Sequence, residues 1–544
     1  MTLCYRQKYQ PTTNHQHMLK ACEDKLKLPQ LTGIGRDAPT SPPIRVRASL
    51  TPRAVTIPPS RFWLALCAAA SRDMPSPPPS PSPWLEQRGV YLDASAVSIA
   101  PSLTCGGLGV VAVAPIAIHS VICRIPKTCI LSCENSAVDL SDLLQCDNGV
   151  VDENTRLATC VMLERACGPR SFFHGYIQSM LPAPRQPMFW THSALALLEG
   201  TELESSADTD LQELERTWEE ISAFVKKEAA RLGADDNQVN RKAFTEALSL
   251  VQSRQFFVDE EHGSSLVPLA DIFNHKTARI QLAKNVHVER EHSEGGMSDG
   301  DDDDDDDENQ VGHNVDDDEQ FSARGSSVRL TRKSASEGLD MAVFQDDENL
   351  AIVTQRPFDA GEEIYNCYGE CSNATLLHDY AFLSENNPFD IVNLDGELLV
   401  EVAADVHGER VARRAARKYL SQLDDYFELP TSTEYVPADL LLALKALSGA
   451  DVDVSSAQEP EALDALGREE AELLARCAQA RLQRYPELPQ GDDDAAMRDA
   501  RTPEAVAALS LRALEKKLLV RWEVASRRRA SRARRRRKRG RDEA

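Results

Sequence analysis

The chain has 544 residues, 42% of them hydrophobic, and a formal net charge of −25 at pH 7. This length allows two to four domains and at least one large hydrophobic core. The strong negative charge argues against a protein that coats nucleic acid with its whole surface. The thirteen cysteines are odd in number and lack the short spacings of a disulfide scaffold, which is typical of a reduced, intracellular compartment.

Residues 1–83 differ from the rest of the chain because they are basic and rich in proline and serine, as in MPSPPPSPSP. We predict that this region is disordered. No apolar run reaches the length of a transmembrane helix. The short run at residues 62–70 lies too far from the N-terminus for a signal peptide.

Order is expected to begin at Trp84. Glycines and β-branched runs in GGLGVVAVAPIAIHSVICRIPKTCIL predict short strands joined by tight turns. From about 140 to 255 the period changes, since Phe244, Ala247, Leu248 and Val251 recur at i, i+3, i+4 and i+7. We therefore predict a domain over residues 84–385 that is interrupted by a helical insertion at about 140–255.

Strand character returns at Leu266, in the stretch LVPLADIFNH. An acidic segment at about 290–330 follows, and its seven consecutive aspartates repel one another too strongly to form a core. We predict a disordered acidic loop inside the domain. The next stretch, LDMAVFQDDENLAIVTQRPFDAGEEIYNCYG, is typical of three strands separated by turns.

The chain becomes helical again towards its C-terminus. Pro437 and Gly449 bracket one leucine-rich helix, and Thr502 and Pro503 have the types expected at the N-cap and first position of another. We predict an all-helical domain at 386–525 and a basic disordered tail at 526–544. The arginines of this tail suit nuclear import or, as an alternative, loose contact with RNA.

Two CxxxC pairs raise the question of a zinc site. They are Cys129 with Cys133 and Cys367 with Cys371. No second pair with ligand-like spacing completes a set of four ligands. Ordinary buried thiols are favoured, and we predict no metal site.

Several motifs occur in an order that resembles the SET-domain protein methyltransferases. The motifs are WLEQRGV, GGLGVVA, IPKTCILSCENS, MLPAPRQPMFWTHSALALLEGT, SRQF, LVPLADIFNH and the NCYG segment, which together cover about residues 84–400. Within this family the chain is similar to the branch of the Rubisco large-subunit lysine methyltransferase and the ribosomal lysine methyltransferases. The resemblance implies an α+β fold: a SET-domain β-fold with a pseudoknot, a helical insertion and an all-helical C-terminal domain that binds substrate.

The resemblance also implies S-adenosylmethionine as the cofactor. In the family, the NH segment and the later tyrosine segment cross to form the floor of the cofactor pocket. The GGLG segment would approach the cofactor through backbone groups, which glycine permits. The cofactor-binding residues implied by the match are Gly106, Gly107, Leu108, Asn274, His275, Tyr380 and Phe382.

The reaction needs a neutral lysine amine, although free lysine titrates at roughly 10.4. An apolar, aromatic channel lowers that value, so aromatic side chains are expected at the site. By match, Tyr368 is the catalytic tyrosine and also contacts the substrate. Arg254, Asp271 and Tyr380 match further substrate-binding positions. For Asp271, a turn residue at a strand end is an equally weighted alternative.

The chain departs from the family pattern at three points. Ala381 replaces the glycine of a usual YGF motif, which is tolerable if its φ is negative. A further family tyrosine downstream of the NH motif has no match. The zinc-binding cysteines that follow the SET domain in many histone methyltransferases are also missing, which again favours the Rubisco-type branch.

We therefore expect a protein-lysine N-methyltransferase that acts on a ribosomal or another nuclear protein. Two alternatives remain open: a protein-histidine methyltransferase of the same fold, and a non-catalytic SET-domain interaction protein. The expected partner is a protein substrate, with no membrane, and with nucleic acid contacted only through the basic tail. The expected location is the nucleus, with the cytoplasm as a second location.

Overall fold

The computed structural model describes residues 81–102, 107–145, 151–180, 185–277, 320–323, 326–329, 339–420, 425–453, 460–489 and 491–542. These residues form two compact units. The sheet unit contains the described residues of 81–180 and 213–370, and the helical unit contains those of 185–212 and 371–542. Of the predicted disordered region 1–83, all but the last three residues lie outside the described residues.

Fourteen α-helices are present in the described part of the chain. In chain order they are α1 (Ser82–Gln87), α2 (Ser141–Gln145), α3 (Glu153–Ala166), α4 (His174–Ser179), α5 (His192–Leu195), α6 (Ser206–Leu232), α7 (Arg241–Arg254), α8 (Asn373–Tyr380), α9 (Gly396–His407), α10 (Glu409–Lys418), α11 (Ala438–Leu447), α12 (Arg468–Leu482), α13 (Asp493–Asp499) and α14 (Pro503–Asp542). None of them is both long and apolar enough to span a lipid bilayer.

The strands are short, and the pairs between them are antiparallel. They are β1 (Tyr91–Leu92), β2 (Val97–Pro101), β3 (Leu108–Ala112), β4 (Val121–Pro126), β5 (Gln255–Phe257), β6 (Ser264–Leu266), β7 (Gln320–Ala323), β8 (Ser326–Arg329), β9 (Met341–Gln345), β10 (Asn349–Thr354), β11 (Glu363–Ile364), β12 (Ile391–Asp395), β13 (Tyr426–Pro430), β14 (Tyr435–Val436) and β15 (Glu461–Ala462). The sheet unit holds a four-stranded sheet, β1-β4-β10-β9, a three-stranded sheet, β11-β3-β2, and the hairpins β5-β6 and β7-β8. In the helical unit, β12 pairs with β13 and β14 with β15.

Two helices of the predicted insertion are capped by the residue that precedes each of them. The side chain of Asp152 caps α3 by accepting a hydrogen bond from the Thr155 N–H, and that of Asn240 caps α7 through the Ala243 N–H. The α3 helix is buried on most sides, and α7 packs against it through Phe244. Together with β4 and β10 they form one continuous hydrophobic core that supports the site described below.

The units divide the chain at residue 370 rather than at the predicted 385, and residues 185–212 join the helical unit. The cause is a separate hydrophobic cluster. In it Trp190 and Leu198 pack with Leu377 of α8 and Leu511 of α14. The tryptophan and leucines of residues 185–212 therefore belong to the core of the helical unit, although the sequence places them inside the insertion.

Helix α14 continues to Asp542, through the tail for which the sequence predicts disorder. The helix is held to its own unit at Ala530, which is buried, and at Arg529, which is 3.8 Å from Asp464. Arginine and alanine are also strong helix formers. Within the predicted acidic loop, the aspartate run lies outside the described residues. The hairpin β7-β8 follows the last acidic residue of the segment, within the range predicted as a loop.

Ala381 ends α8 in the left-handed conformation, with φ 61° and ψ 29°. The condition under which alanine would be tolerated without strain, a negative φ, is therefore not met. The Ala381 N–H donates to the carbonyl of Leu377, which closes the last turn of the helix. An L-residue with a Cβ is strained by about 1–2 kcal/mol in this conformation, whereas glycine is not.

We predict that Ala381→Gly stabilises the protein by about 0.5–1 kcal/mol, because relief of the strain exceeds the added entropy of glycine in the unfolded chain. Urea unfolding of the two proteins measures the difference. Ala223→Gly, on the exposed face of α6, is the matched control and should destabilise by about 1 kcal/mol. An equal loss of unfolding free energy in both variants would contradict the proposed strain at Ala381.

Candidate active site

The apolar stretch that ends in ADIFNH turns sharply at Leu269. Leu266 lies at the end of β6, where it exchanges backbone hydrogen bonds of 2.9 Å with Leu131. Leu269 is fully buried at φ 73°, a conformation that costs a β-carbon residue about 1–3 kcal/mol. A single 3-10 turn, Ala270–Ile272, follows. This turn carries the chain from the core into an extended segment that begins at Phe273.

The extended NH segment lies beside the segment that leads to Tyr368. His275 and Asn366 form a parallel bridge. The Asn366 N–H donates to the Asn274 carbonyl, and the Lys276 N–H donates to the Asn366 carbonyl, each at 2.8 Å. The motif that starts the site and the motif that completes it are therefore adjacent, as the family resemblance implies.

Tyr368 is attached to the NH segment by both its backbone and its side chain. Its N–H donates to Nδ1 of His275 at 3.1 Å, across 93 positions of sequence. Its hydroxyl donates to the carbonyl of Phe273 at 3.0 Å, and its ring centroid is 5.0 Å from that of His275. Because the hydroxyl proton is directed to Phe273, the oxygen keeps lone pairs for an incoming donor.

His275 is a neutral hydrogen-bonding residue. Burial lowers its pKa to about 4, because the imidazolium would lose its hydration. Nδ1 accepts from Tyr368, so the ring proton lies on Nε2, which is 2.9 Å from Oγ1 of Thr277. A second proton would place an N–H against the Tyr368 N–H and separate the two segments.

We predict that His275 destabilises the protein on acidification. Its folded pKa of about 4 lies below the ordinary value near 6.5, so its contribution is complete above pH 6.5 and is lost as the pH falls. The loss between pH 7 and pH 4.5 should be on the order of 2 kcal/mol. Urea unfolding of wild type and His275→Asn across this range isolates the effect, since the other acidic groups are common to both proteins. If the unfolding free energies of the two proteins changed with pH in parallel, the predicted contribution of His275 would be contradicted.

Asn274 connects the NH segment to β3 and β11. Its Nδ2 donates to the Leu108 carbonyl at 3.0 Å and to Oε1 of Glu363 at 2.7 Å. A Cβ at Gly109 would lie 2.4 Å from that same Glu363 oxygen, so only glycine leaves room for the Asn274–Glu363 pair. The Leu108 carbonyl thus accepts a hydrogen bond from Asn274. The two bonds from Nδ2 fix the orientation of the amide and therefore the direction in which Oδ1 of Asn274 points.

The Glu363 carboxylate accepts hydrogen bonds from three side chains of the site. Besides Asn274, its Oε2 accepts from Oγ of Ser102 at 2.9 Å and from the Tyr365 hydroxyl at 3.2 Å. Ser102 precedes the predicted cofactor loop, of which Gly106 lies outside the described residues. Gly107 is described and has φ 68°, a value that suits glycine. The sequence did not reveal Glu363 and Ser102 as site residues, because no motif indicates which residues they contact.

Arg254 and Asp271 form a buried ion pair at the C-terminal end of α7. Arg254 donates to the Asp271 carbonyl at 3.0 Å and to Oδ2 at 3.2 Å, and the Tyr176 hydroxyl donates to the same oxygen at 3.1 Å. The Asp271 side chain is only 1% exposed, and burial raises its pKa although Arg254 opposes the shift. Within the described residues, Oδ1 of Asp271 and Nε of Arg254 are buried without a hydrogen-bond partner. Tyr176 is a third member that the sequence did not reveal.

Tyr380 and Phe382 belong to the helical unit. Tyr380 is the last residue of α8, and its ring centroid is 6.1 Å from that of Phe382. Asn373 anchors the start of this helix through hydrogen bonds to Asp390 and Ser384. The roles of the two aromatic residues in cofactor and substrate binding stay predictions.

The four cysteines of the two CxxxC pairs form no disulfide, and Cys129 and Cys367 are buried. Among the described residues, no group of three or more His, Cys, Asp or Glu side chains is placed to hold a metal ion. The polar side chains that the site brings together are those of Tyr368, His275, Asn274 and Glu363.

Comparison with solved structures identifies the fold. A structure of the SET domain of LSMT bound to MeLysine and AdoHcy covers 84% of this chain and 93% of that chain, with a TM-score of 0.54 at 17% identity. A structure of Rubisco LSMT bound to AdoMet covers 83% of this chain and 91% of that chain, with a TM-score of 0.51 at 17% identity. The chain has a SET-domain fold. The α+β class and the family resemblance predicted from the sequence are confirmed. The C-terminal domain is helical but not all-helical, because β12 to β15 lie within residues 386–525.

Two curated relatives of this SET-domain protein carry the same kind of name. Ribosomal lysine N-methyltransferase 3 of Saccharomyces cerevisiae is 25% identical over 340 residues, which cover 54% of this chain and 60% of the relative. Ribosomal lysine N-methyltransferase 4 of Schizosaccharomyces pombe is 22% identical over 257 residues, covering 44% and 53%. The chain thus spans little more than half the length of these relatives. No family model matches it.

Proposed function

We propose that this SET-domain protein is an S-adenosylmethionine-dependent protein-lysine N-methyltransferase. The observation that carries the proposal is the pairing of the NH segment with the Tyr368 segment. This pairing brings the Tyr368 hydroxyl, the neutral His275 imidazole and the oriented Asn274 amide onto two adjacent segments. None of these groups is a strong acid or base at neutral pH, which suits transfer of a methyl group to an amine that arrives already neutral.

Asn274, His275 and the backbone at Gly107 and Leu108 are the residues that would hold the cofactor, which supplies an activated methyl group when bound. The Asn274–Glu363 pair fixes the amide orientation, and room for that pair exists because residue 109 is glycine. A cofactor group that forms a hydrogen bond with the Asn274 amide therefore meets a dipole that is already oriented.

Tyr368 would orient the lysine amine. Its hydroxyl proton is bound by the Phe273 carbonyl, so its oxygen accepts an N–H from the amine and directs the nitrogen lone pair away from the tyrosine. Holding the amine in line with the methyl group supplies much of the rate enhancement. The aromatic, half-buried surroundings disfavour the ammonium form and so lower the pKa of the lysine.

Arg254 and Asp271 are proposed to contact the protein substrate. The support is the Arg254 side chain, which is 27% exposed beside the buried Asp271. The Asp271 carboxylate, which also accepts from Tyr176, holds this guanidinium in a fixed position.

The proposed substrate is a ribosomal or another nuclear protein, and the proposed location is the nucleus. The names of the relatives support a ribosomal substrate, and the arginine-rich end of α14 supports nuclear import. The acidic chain would also attract a basic substrate. Fluorescence of a tagged full chain, with and without residues 527–544, tests the location.

The test of the activity is transfer of a labelled methyl group from S-adenosylmethionine into proteins of a cell extract that lacks the enzyme. We expect a labelled band that contains methyllysine by mass spectrometry. Methylhistidine in the labelled protein would replace the lysine assignment with the histidine alternative. Cofactor binding without any transfer would favour the non-catalytic alternative.

A further inference from the structure

Helix α10 carries a row of five cations on one face, which we name the basic stripe. Their spacing of i, i+3, i+4, i+7 and i+8 places all five on the same side of a helix. Each is exposed, and their side chains surround a surface depression of about 480 Å³. The basic stripe consists of Arg410, Arg413, Arg414, Arg417 and Lys418.

Burial of the opposite face of α10 keeps the basic stripe exposed to solvent. Ala412, Ala415 and Tyr419 are buried in the core of the helical unit, against α9 and α11. The helix therefore cannot rotate without exposing its apolar side. The orientation of the cations is a fixed property of the helical unit and not of a loose tail.

Helix α10 itself carries five cations and one carboxylate, that of Glu409. Among the described residues, Glu409 pairs with Arg413 and Asp451 pairs with Lys418. Neighbours at i+3 and i+4 along the stripe are like-charged, and each such pair disfavours the helix by about 0.2–0.5 kcal/mol. An anionic partner would offset this cost.

We propose that the basic stripe binds the phosphate backbone of structured RNA. Four of its five cations are arginines, whose planar guanidinium groups bind phosphate oxygens in pairs. The stripe is about 12 Å long at 1.5 Å per residue, enough to contact several phosphates of one strand. The contact would be to the backbone and not to the bases, so it would position the protein without reading sequence.

The choice of RNA over other polyanions rests on the proposed ribosomal substrate, because a ribosomal protein is presented beside RNA. The net charge of −25 makes a general attraction between the whole chain and RNA unfavourable, so binding requires a local cationic surface. A surface that binds RNA would raise the local concentration of the ribosomal particle near the enzyme. It would not change the rate of the methyl-transfer step itself.

The experiment measures fluorescence anisotropy of a labelled RNA hairpin of about 20 base pairs with the full chain, at several salt concentrations. The stripe variant is Arg410→Gln, Arg414→Gln and Arg417→Gln combined. The matched control removes three exposed cations of the sheet unit, Arg216→Gln, Lys226→Gln and Lys242→Gln, and so has the same net charge. A tail variant replaces the exposed residues Arg528, Arg532 and Arg535 of α14 with glutamine.

We expect the stripe variant to raise the Kd for RNA at least tenfold. Its salt dependence should flatten by about 0.9 in log–log slope for each phosphate group that the variant no longer neutralises. The control should change Kd less than threefold. Each of four results would overturn the proposal: no RNA binding by wild type, no effect of the stripe variant, an equal effect of the control, or an effect confined to the tail variant. Tighter, stripe-dependent binding of an oligo-aspartate peptide would overturn it in favour of an acidic protein partner.

The assay contains neither cofactor nor methyl acceptor, so its outcome is separate from that of methyl transfer. If RNA binding depends on the stripe but no methyl group is transferred into the extract, the RNA-binding surface is supported and the proposed methyltransferase activity is contradicted. Removing the three arginines also relieves like-charge repulsion on α10, so the stripe variant should fold at least as stably as wild type. Thermal melting verifies this point.

Discussion

Replacing Tyr368 with phenylalanine is expected to lower kcat for methyl transfer by about 100-fold or more, while the Kd of S-adenosylhomocysteine changes less than threefold. The variant removes one oxygen and keeps the ring that packs 5.0 Å from the His275 ring. The removed oxygen is the acceptor that would orient the amine, and misalignment at a reacting atom typically costs on the order of 100-fold in rate. Label transfer gives kcat, and calorimetry gives the Kd.

Folding should survive this change, because the bond from the Tyr368 hydroxyl to the Phe273 carbonyl contributes only about 0.5–1.5 kcal/mol. The matched control is Tyr365→Phe, which removes a hydroxyl bound to Glu363 from the same segment. Its kcat should fall less than tenfold. A Tyr368→Phe protein as active as the control would remove Tyr368 from the reaction and leave the fold assignment untouched.

Local signals in the sequence predicted several elements, because local interactions determine them. Thr502, expected to be an N-cap, accepts a hydrogen bond from the Ala505 N–H at the start of α14. The helical spacing of Phe244 and Val251 corresponds to buried positions of α7. The neighbourhood of Asn274 and Tyr368 came from the family resemblance and not from periodicity.

Other features depend on contacts between distant residues, and no local pattern encodes those contacts. Glu363 meets Ser102 across 261 positions and Asn274 across 89, so its role in the site appears only in the fold. The helical tail depends on burial of Ala530 by its own unit, and the composition of residues 526–544 alone favours disorder. The φ of Ala381 likewise follows from the way α8 ends, which the sequence YAF does not specify.

The Asn274–Glu363 pair should be the most sensitive contact of the cofactor pocket. We predict that Asn274→Asp raises the Kd of S-adenosylhomocysteine at least tenfold at pH 7.5 and lowers the free energy of unfolding by about 3 kcal/mol. Asn274 donates to a carboxylate at 2.7 Å and to the Leu108 carbonyl at 3.0 Å. An ionised aspartate has no proton to donate, so it would place oxygen against oxygen at both contacts.

The decisive feature of this variant is its recovery in acid. Two carboxyl groups at hydrogen-bond distance cannot both stay ionised, so the pair holds one proton with a raised pKa. The folded state then binds more protons than the unfolded chain, and the deficit of Asn274→Asp relative to wild type should shrink between pH 7.5 and pH 5.5. Asn274→Ala, which adds no carboxyl group, should keep a deficit that does not depend on pH. Calorimetry and urea unfolding at both pH values measure this, and a deficit of Asn274→Asp that stays constant would mean that Asn274 does not face Glu363.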